Sequence, residues 1–374
     1  MKKFNYTAFL LILLCFIVNP LKINQVNALS TYKGMCVLEG NTLTVLDEFN
    51  AHKKLAMAST TKIITAIVTI ENCDNFNKTI TVADQAVGIE GTSIYLCKNE
   101  QITIDNLLYG LILASGNDAA MALAYEIGGS EEGFVELMNE FARKVGAVNT
   151  HFDNPHGLDS NTHYTTAYDL ALITAYALNN DKFVEVISTK NKVFGGGEYQ
   201  TRYLKNKDKL LFTQKGCIGG KTGFTDNAGR CLVNACDQDG MRIISVVLNC
   251  GPMFEECDRL TTNALSRYTT KQFVLPYDYV GVVPVINGDK DEVSVATLKG
   301  YSKTILKDEE NKYSVEYNLF DSVNAPVATT TVVGNVVVKY ENTPIYSCEL
   351  YSIDECDNID FKHKIDTIIN NWFN

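Results

Sequence analysis

Three features of this sequence predict an α+β fold in which an antiparallel sheet is flanked by a helical block and followed by a small all-β region. Strand-like segments stand near both ends of the first 270 residues, and helical periodicity fills the stretch between them. Beyond about Thr270 the helical signal nearly vanishes, and four of the seven prolines collect there. Helices packed on a sheet whose strands come from both ends of a chain segment give this layered architecture.

In chain order, "MKKFNYTAFLLILLCFIVNPLKINQVNALS" has a positive start (Lys2, Lys3), an apolar core from Phe9 to Val18 and a small-residue site at Val26-Asn27-Ala28. That is the grammar of a secretory signal peptide, and its apolar core is short for a membrane span. Residues 1–28 are therefore set apart from the fold; their removal takes three lysines and shifts the formal charge from −11 to −14. "GMCVLEGNTLTVLDE" (34–48) reads as two strands about Gly40-Asn41. "LAMASTTKIITAIVTIE" follows as a helix whose Ile63, Ile64, Ile67, Val68 and Ile70 bury well. Residues 104–145 read as helices, interrupted at "LASGNDAA". "TTAYDLALITAYAL" is a further helix, capped by Thr165 or Thr166. "GRCLVNACDQDGMRIISVVLNC" gives two antiparallel strands about Asp239-Gly240, and "EECDRLTTNALSRY" a closing helix.

The mixed α and β region is thus expected over 29–270 and the β-rich one over 271–357, where "DEVSV", "KYSVEYNLF" and "NVVVKY" alternate with period two. Residues 358–374 end the chain as an amphipathic helix: Phe361, Ile365, Ile368, Ile369, Trp372 and Phe373 form one apolar stripe. With Trp and Phe at its tip and Lys362 and Lys364 beside it, such a helix suits a membrane surface, mostly through apolar contact.

An acidic chain with no basic face excludes a generic nucleic-acid binder. Eleven cysteines, one of them Cys15 in the leader, leave ten in the mature chain; Cys348–Cys356 and Cys231–Cys250 could pair or remain thiols. No Cys/His cluster has metal spacing and no cofactor is indicated.

The chemistry concentrates in three short stretches. Ser59 and Lys62 share one face at the first turn of the buried helix. A serine hydroxyl needs a base, and a lysine serves as one only when burial or a second cation lowers its pKa. Ser115 and Asn117 interrupt an apolar helical run, a costly place for polar groups unless they are used. Lys221-Thr222-Gly223 follows Gly219-Gly220 at the start of an expected strand and supplies the second cation. Each motif alone is weak: Ser30–Lys33 and Ser322–Asn324 match the first two patterns by chance. Their ordered combination is specific. His156 in "NPHGLD" reads as a turn histidine bonded to backbone.

With these motifs the sequence closely resembles the D-alanyl-D-alanine carboxypeptidases, low-molecular-mass penicillin-binding proteins of serine peptidase family S11. The resemblance runs through "NAHKKLAMASTTK", "LYGLILASGNDAA", "FDNPHGLDSNTHYTTAYDLA" and "GGKTGFTDNAGRCLV". It implies a β-lactamase/transpeptidase-like domain and an exported enzyme at the extracytoplasmic membrane face or cell wall. Its substrates would be peptidoglycan stem peptides ending in D-Ala-D-Ala, and β-lactams would acylate it. The resemblance makes Ser59 the nucleophile, Lys62 its base, Ser115 a proton carrier toward the leaving D-alanine, and Asn117 the holder of substrate amide and Lys62. Lys221, Thr222 and Gly223 would bind the carboxylate end, and the N–H groups of Ser59 and Phe224 would form the oxyanion hole. Some members carry an arginine after the sheet hairpin that grips the carboxylate; here only Arg259 is near, unassigned. An endopeptidase cutting crosslinks and a non-catalytic wall-binding module are the competing readings. A β-lactamase is disfavoured because "NPHGLD" offers no deacylating glutamate.

Overall fold

The computed structural model describes residues 31–196 and 199–359, together with Ile365, Ile369 and Trp372. The expected signal peptide lies outside the described residues, as does most of the expected terminal helix. Five strands, β1 (Gly34–Glu39), β2 (Thr44–Phe49), β7 (Cys217–Thr225), β8 (Gly229–Gln238) and β9 (Met241–Leu248), form one antiparallel sheet in the order β2-β1-β9-β8-β7. The first hairpin and the last three strands thus meet in the middle, with β7 at an edge. The β8–β9 turn places Asp239 and Gly240 at φ of 54° and 77°, the pair of positive values that a tight two-residue hairpin demands.

Between β2 and β7 lie α1 (Lys62–Glu71), β3 (Thr79–Thr81), β4 (Gln101–Thr103), α2 (Ile104–Tyr109), α3 (Asn117–Gly128), α4 (Glu131–Lys144), α5 (Ala167–Ala177), α6 (Asp181–Ser188), β5 (Asn191–Gly196), β6 (Tyr199–Lys205) and the single turn α7 (Leu210–Thr213). Nine of the ten residues of α1 are buried, so it is the hub of the helical block and is apolar nearly all round. Thr166, rather than Thr165, caps α5: its side chain accepts from Asp169 N at 3.0 Å. α8 (Met253–Arg267) covers the other face of the sheet, where Met35, Val37, Leu232, Ile243 and Val247 meet Cys257, Leu260 and Ala264. The β3–β4 and β5–β6 hairpins carry no strong periodic signal in the sequence and are added here by the structure.

From Tyr268 onward the chain is β-rich: a β10–β13 ribbon (Tyr268–Val274 with Tyr301–Leu306) and a six-stranded sheet. That sheet contains β11 (Tyr279–Ile286), β12 (Glu292–Thr297), β14 (Tyr313–Leu319), β15 (Val323–Asn324), β16 (Val332–Tyr340) and β17 (Thr343–Ser352). The ribbon joins the first sheet through Thr304, whose hydroxyl meets that of Thr42 at 2.8 Å, and through Tyr268, whose hydroxyl donates to Leu46 O at 3.1 Å. Cys231, Cys348 and Cys356 are thiols, so neither disulfide considered from the sequence forms. No helix among the described residues is long and apolar enough to cross a membrane.

Candidate active site

The nucleophile candidate does not start an α-helix outright. Ser59 sits in a 3-10 turn (Ala58–Thr61) that runs into α1, with Ala58 in the left-handed region at φ 48°. Two glycines clamp this turn. A Cβ on Gly157 would fall 2.1 Å from Ala58 O, and one on Gly223 would fall 2.9 Å from Met57 O and 3.1 Å from Ser59 N. Only residues without a side chain let the 154–158 loop and β7 approach so closely.

Lys62 follows Ser59 by one turn and is completely buried. Its Nζ lies 3.0 Å from Ser59 Oγ, 2.7 Å from Asn117 Oδ1 and 2.6 Å from the His156 carbonyl. Burial, then the positive charges of Lys221 and Lys207, push its pKa well below the ordinary lysine value, against a weaker upward pull from Asp118. Burial there disfavours the ammonium and so favours the neutral amine. A neutral amine has two N–H groups and one lone pair. Asn117 Oδ1 and the His156 carbonyl can only accept, and together they take both N–H groups. In that neutral form the lone pair faces the Ser59 hydroxyl, 3.0 Å away.

Asn117 is itself fixed. Its Nδ2 donates to Glu90 O at 2.6 Å, which assigns Oδ1 to Lys62, and its N–H donates to Thr92 O at 2.7 Å. Ser115 ends the broad helical turn Gly110–Ala114 in a left-handed conformation, φ 64° and ψ 33°. That strained residue separates α2 from α3 and aims its hydroxyl at Lys221 Nζ, 3.0 Å away. Lys221 stands mid-strand in β7 rather than at its start, and is buried. Burial, then Lys207, lowers its pKa to about 7, while Asp208 opposes the shift. Thr222, Gly223 and Phe224 continue along β7 and line the cleft.

All eight residues singled out from the sequence therefore converge. Ser59, Ser115, Asn117, Thr222, Gly223 and Phe224 line a cleft of about 540 Å³, with Lys62 and Lys221 directly behind Ser59 and Ser115. His156 also lines it, and its Nδ1 accepts from Leu158 N at 3.2 Å, the backbone-bonded turn expected of it. Burial above all brings its pKa down to about 3, so it is neutral.

Sequence reasoning missed two sets of residues. The first is a brace. Arg202 on β6 forms a buried ion pair with Glu100 (Nη2 to Oε2, 2.8 Å) and donates from Nε to Ile94 O at 2.6 Å. Asp118, next to Asn117, accepts from Ile94 N and Leu96 N, both at 3.0 Å. Together they hold the segment that carries Glu90 and Thr92 against Asn117. The second set is cationic: Lys207, Lys209 and Arg230 line the cleft. Arg259 does not; it pairs with Glu256 at 2.7 Å on α8. Among the described residues no group of His, Cys, Asp and Glu has the arrangement of a metal site.

Residues 23–251 match the family model described as D-alanyl-D-alanine carboxypeptidase, Peptidase S11, and residues 268–357 match the C-terminal domain of penicillin-binding protein 5. The chain is 31% identical to D-alanyl-D-alanine carboxypeptidase DacF of Bacillus subtilis, over 82% of this chain and 81% of that one. It is 34% identical to DacC of Escherichia coli, over 78% and 76%. The crystal structure of penicillin-binding protein 5 from Haemophilus influenzae superposes with a TM-score of 0.74 at 27% identity, over 88% of this chain and 98% of that one. A buried Ser-x-x-Lys base pair, a strained Ser-x-Asn and a Lys-Thr-Gly edge strand in one cleft, on a chain matched along most of its length, make this protein a member of the D-alanyl-D-alanine carboxypeptidase family S11.

Proposed function

We propose that this carboxypeptidase removes the terminal D-alanine from peptidoglycan stem peptides through an acyl-enzyme on Ser59. The observation that carries the mechanism is the buried Lys62 Nζ, 3.0 Å from Ser59 Oγ, with Asn117 Oδ1 and the His156 carbonyl as its other partners: in the neutral amine those two acceptors take both N–H groups and the lone pair is free to receive the Ser59 proton. Ser59 attacks the penultimate D-Ala carbonyl and its proton passes to Lys62. The oxyanion is received by the Ser59 and Phe224 N–H groups, each worth about 3 kcal/mol in the transition state. Asn117 orients Lys62 and the substrate amide. Ser115, bonded to Lys221, relays the proton that Lys62 took from Ser59 to the departing amine, which returns Lys62 to its neutral form. Lys221 and Thr222 take the terminal carboxylate, in the place where an arginine after the sheet hairpin serves some relatives. Water then releases the shortened peptide. A β-lactam offers the same carbonyl with a leaving group that stays tethered, and so traps the acyl-enzyme.

Domain limits follow the same reading: a leader over 1–28, a catalytic domain over 29–270, a β-rich domain over 271–357 and a membrane-associating helix over 358–374. The helical, exposed Ile365, Ile369 and Trp372 support an apolar stripe on that last segment. The enzyme would then act at the extracytoplasmic membrane face. In the decisive experiment, the protein is incubated with fluorescent penicillin and, separately, with a peptide ending in D-Ala-D-Ala. Ser59→Ala should abolish labelling and lower D-alanine release by a factor on the order of 10⁴ or more. Undiminished labelling of that variant would refute the assignment.

A further inference from the structure

We propose that Thr61 and His163 are positioning residues for the nucleophile. With the Asp153 N–H they form a directed hydrogen-bond chain that ends on the Ala58 carbonyl and so sets the aim of Ser59. The inference rests on the acyl-enzyme reading above and concerns how the attacking atom is held. Each bond has one possible direction. Asp153 N donates to His163 Nδ1 at 3.0 Å, so Nδ1 is the acceptor nitrogen. The single ring hydrogen of a neutral histidine is then on Nε2, which lies 2.9 Å from Thr61 Oγ1 and donates to it. The Thr61 hydroxyl hydrogen, barred from that side, is committed to Ala58 O at 2.8 Å. Both side chains are buried, so neither trades its partner for bulk water. Burial above all brings the His163 pKa down to about 4, far below neutral pH, and the ring carries no charge there.

The receiving end of the chain is a place that needs holding. Ala58 precedes Ser59 and has φ 48°, a left-handed conformation that a residue with a side chain keeps only when its surroundings impose it. Thr61 grips its carbonyl, and the backbone of Gly157 closes on the same spot: a Cβ there would fall 2.1 Å from Ala58 O and 2.9 Å from Thr61 Oγ1. The originating end is anchored. Next to His163, Tyr164 exchanges backbone bonds with His151 at 2.9 and 3.0 Å, and Thr165 does so with Leu55 at 2.8 and 3.0 Å. Leu55 belongs to the strand-like approach to Ala58, so both ends of the chain share one frame. Phe152 meets the His163 ring edge-on, centroids 5.7 Å apart. The ring is therefore fixed, and the turn is held to it. Ser59 Oγ has one narrow task, to stand 3.0 Å from Lys62 Nζ while it faces the cleft. A misplacement of about 1 Å at a reacting atom can cost about 100-fold in rate.

The test follows acylation by fluorescent penicillin and separates the rate constant at saturation from the dissociation constant of the complex that precedes it. Thr61→Val keeps the shape and removes the hydroxyl. Its acylation rate constant should fall on the order of ten-fold, while the dissociation constant stays within about two-fold of wild type. Thr61→Ser keeps the hydroxyl and should recover most of the rate. His163→Phe should lose about as much as Thr61→Val, and the double variant no more than either, because the chain acts as one unit. A role confined to stability would lower the melting temperature and leave the rate constant of the folded enzyme unchanged; that result overturns the inference. Fully additive losses in the double variant, or a Thr61→Ser variant as slow as Thr61→Val, overturn it too. Wild-type protein that penicillin does not acylate removes the acyl-enzyme reading and this inference with it. Should the variants fail to fold, nitrogen NMR of the wild-type protein labelled at histidine decides. His163 should then be neutral with its hydrogen on Nε2 at neutral pH; a hydrogen on Nδ1 reverses the chain and overturns the inference.

Discussion

The two halves of this molecule bury their polar groups in opposite ways. Between β1 and α8 the buried set includes Lys62, Glu100, Asp118, Asp169, Arg202, Asp208 and Lys221; among the described residues from Tyr268 onward it is only Thr297, Thr304 and Ser352. The β-rich half is assembled as sheets normally are, with Val283, Val293, Val295, Val333, Val336 and Val338 forming an apolar centre. The first half carries buried ionisable groups, of which Lys62 and Lys221 stand directly behind Ser59 and Ser115 at the cleft and Asp118, Glu100 and Arg202 brace the segment against Asn117. Charge that opposes folding persists where chemistry uses it.

That contrast can be broken most severely at Lys221. Its pKa of about 7 lies below the ordinary lysine value of 10.5 because burial disfavours the ammonium. The unfolded chain therefore binds a proton that the folded chain lacks, and the resulting penalty is full below pH 7 and shrinks as pH rises toward 10.5. Lys221→Met should lower D-alanine release on the order of 10³-fold and yet raise the melting temperature, with a larger gain at pH 7 than at pH 9.5. A loss of stability at both pH values would break the comparison. Smaller and opposite in kind is the effect expected in the β-rich half. Val295→Ala leaves a cavity and should cost about 2 kcal/mol of stability in a denaturant titration, with D-alanine release unchanged. A matching loss of activity would show that the halves are functionally coupled.

Legibility in the sequence followed the same division. Ser59, Lys62, Ser115, Asn117 and Lys221 could be found because a hydroxyl, amine or amide inside an apolar run is anomalous. The sheet, the helical block and the β-rich tail were readable from periodicity. What stayed hidden depends on contacts between distant residues without a periodic mark. Arg202 meets Glu100 across 102 positions and braces Asn117 through two intervening segments. Lys207, Lys209 and Arg230 are ordinary surface cations in sequence and become a cleft wall only through the β5–β6 and β8 connections. Arg259, attractive for its place in the chain, is turned to Glu256 by the α8 surface it sits on.

The central claim is that Lys62 is an unprotonated amine aimed at Ser59. Nitrogen NMR of the enzyme labelled at lysine, with the Lys62 signal assigned by its loss in Lys62→Met, measures this directly. The expected result is a neutral amine shift at pH 8, with a single titration far below 10.5 that moves upward in Lys221→Met as the neighbouring charge is removed. An ammonium shift that persists to pH 10 would contradict it.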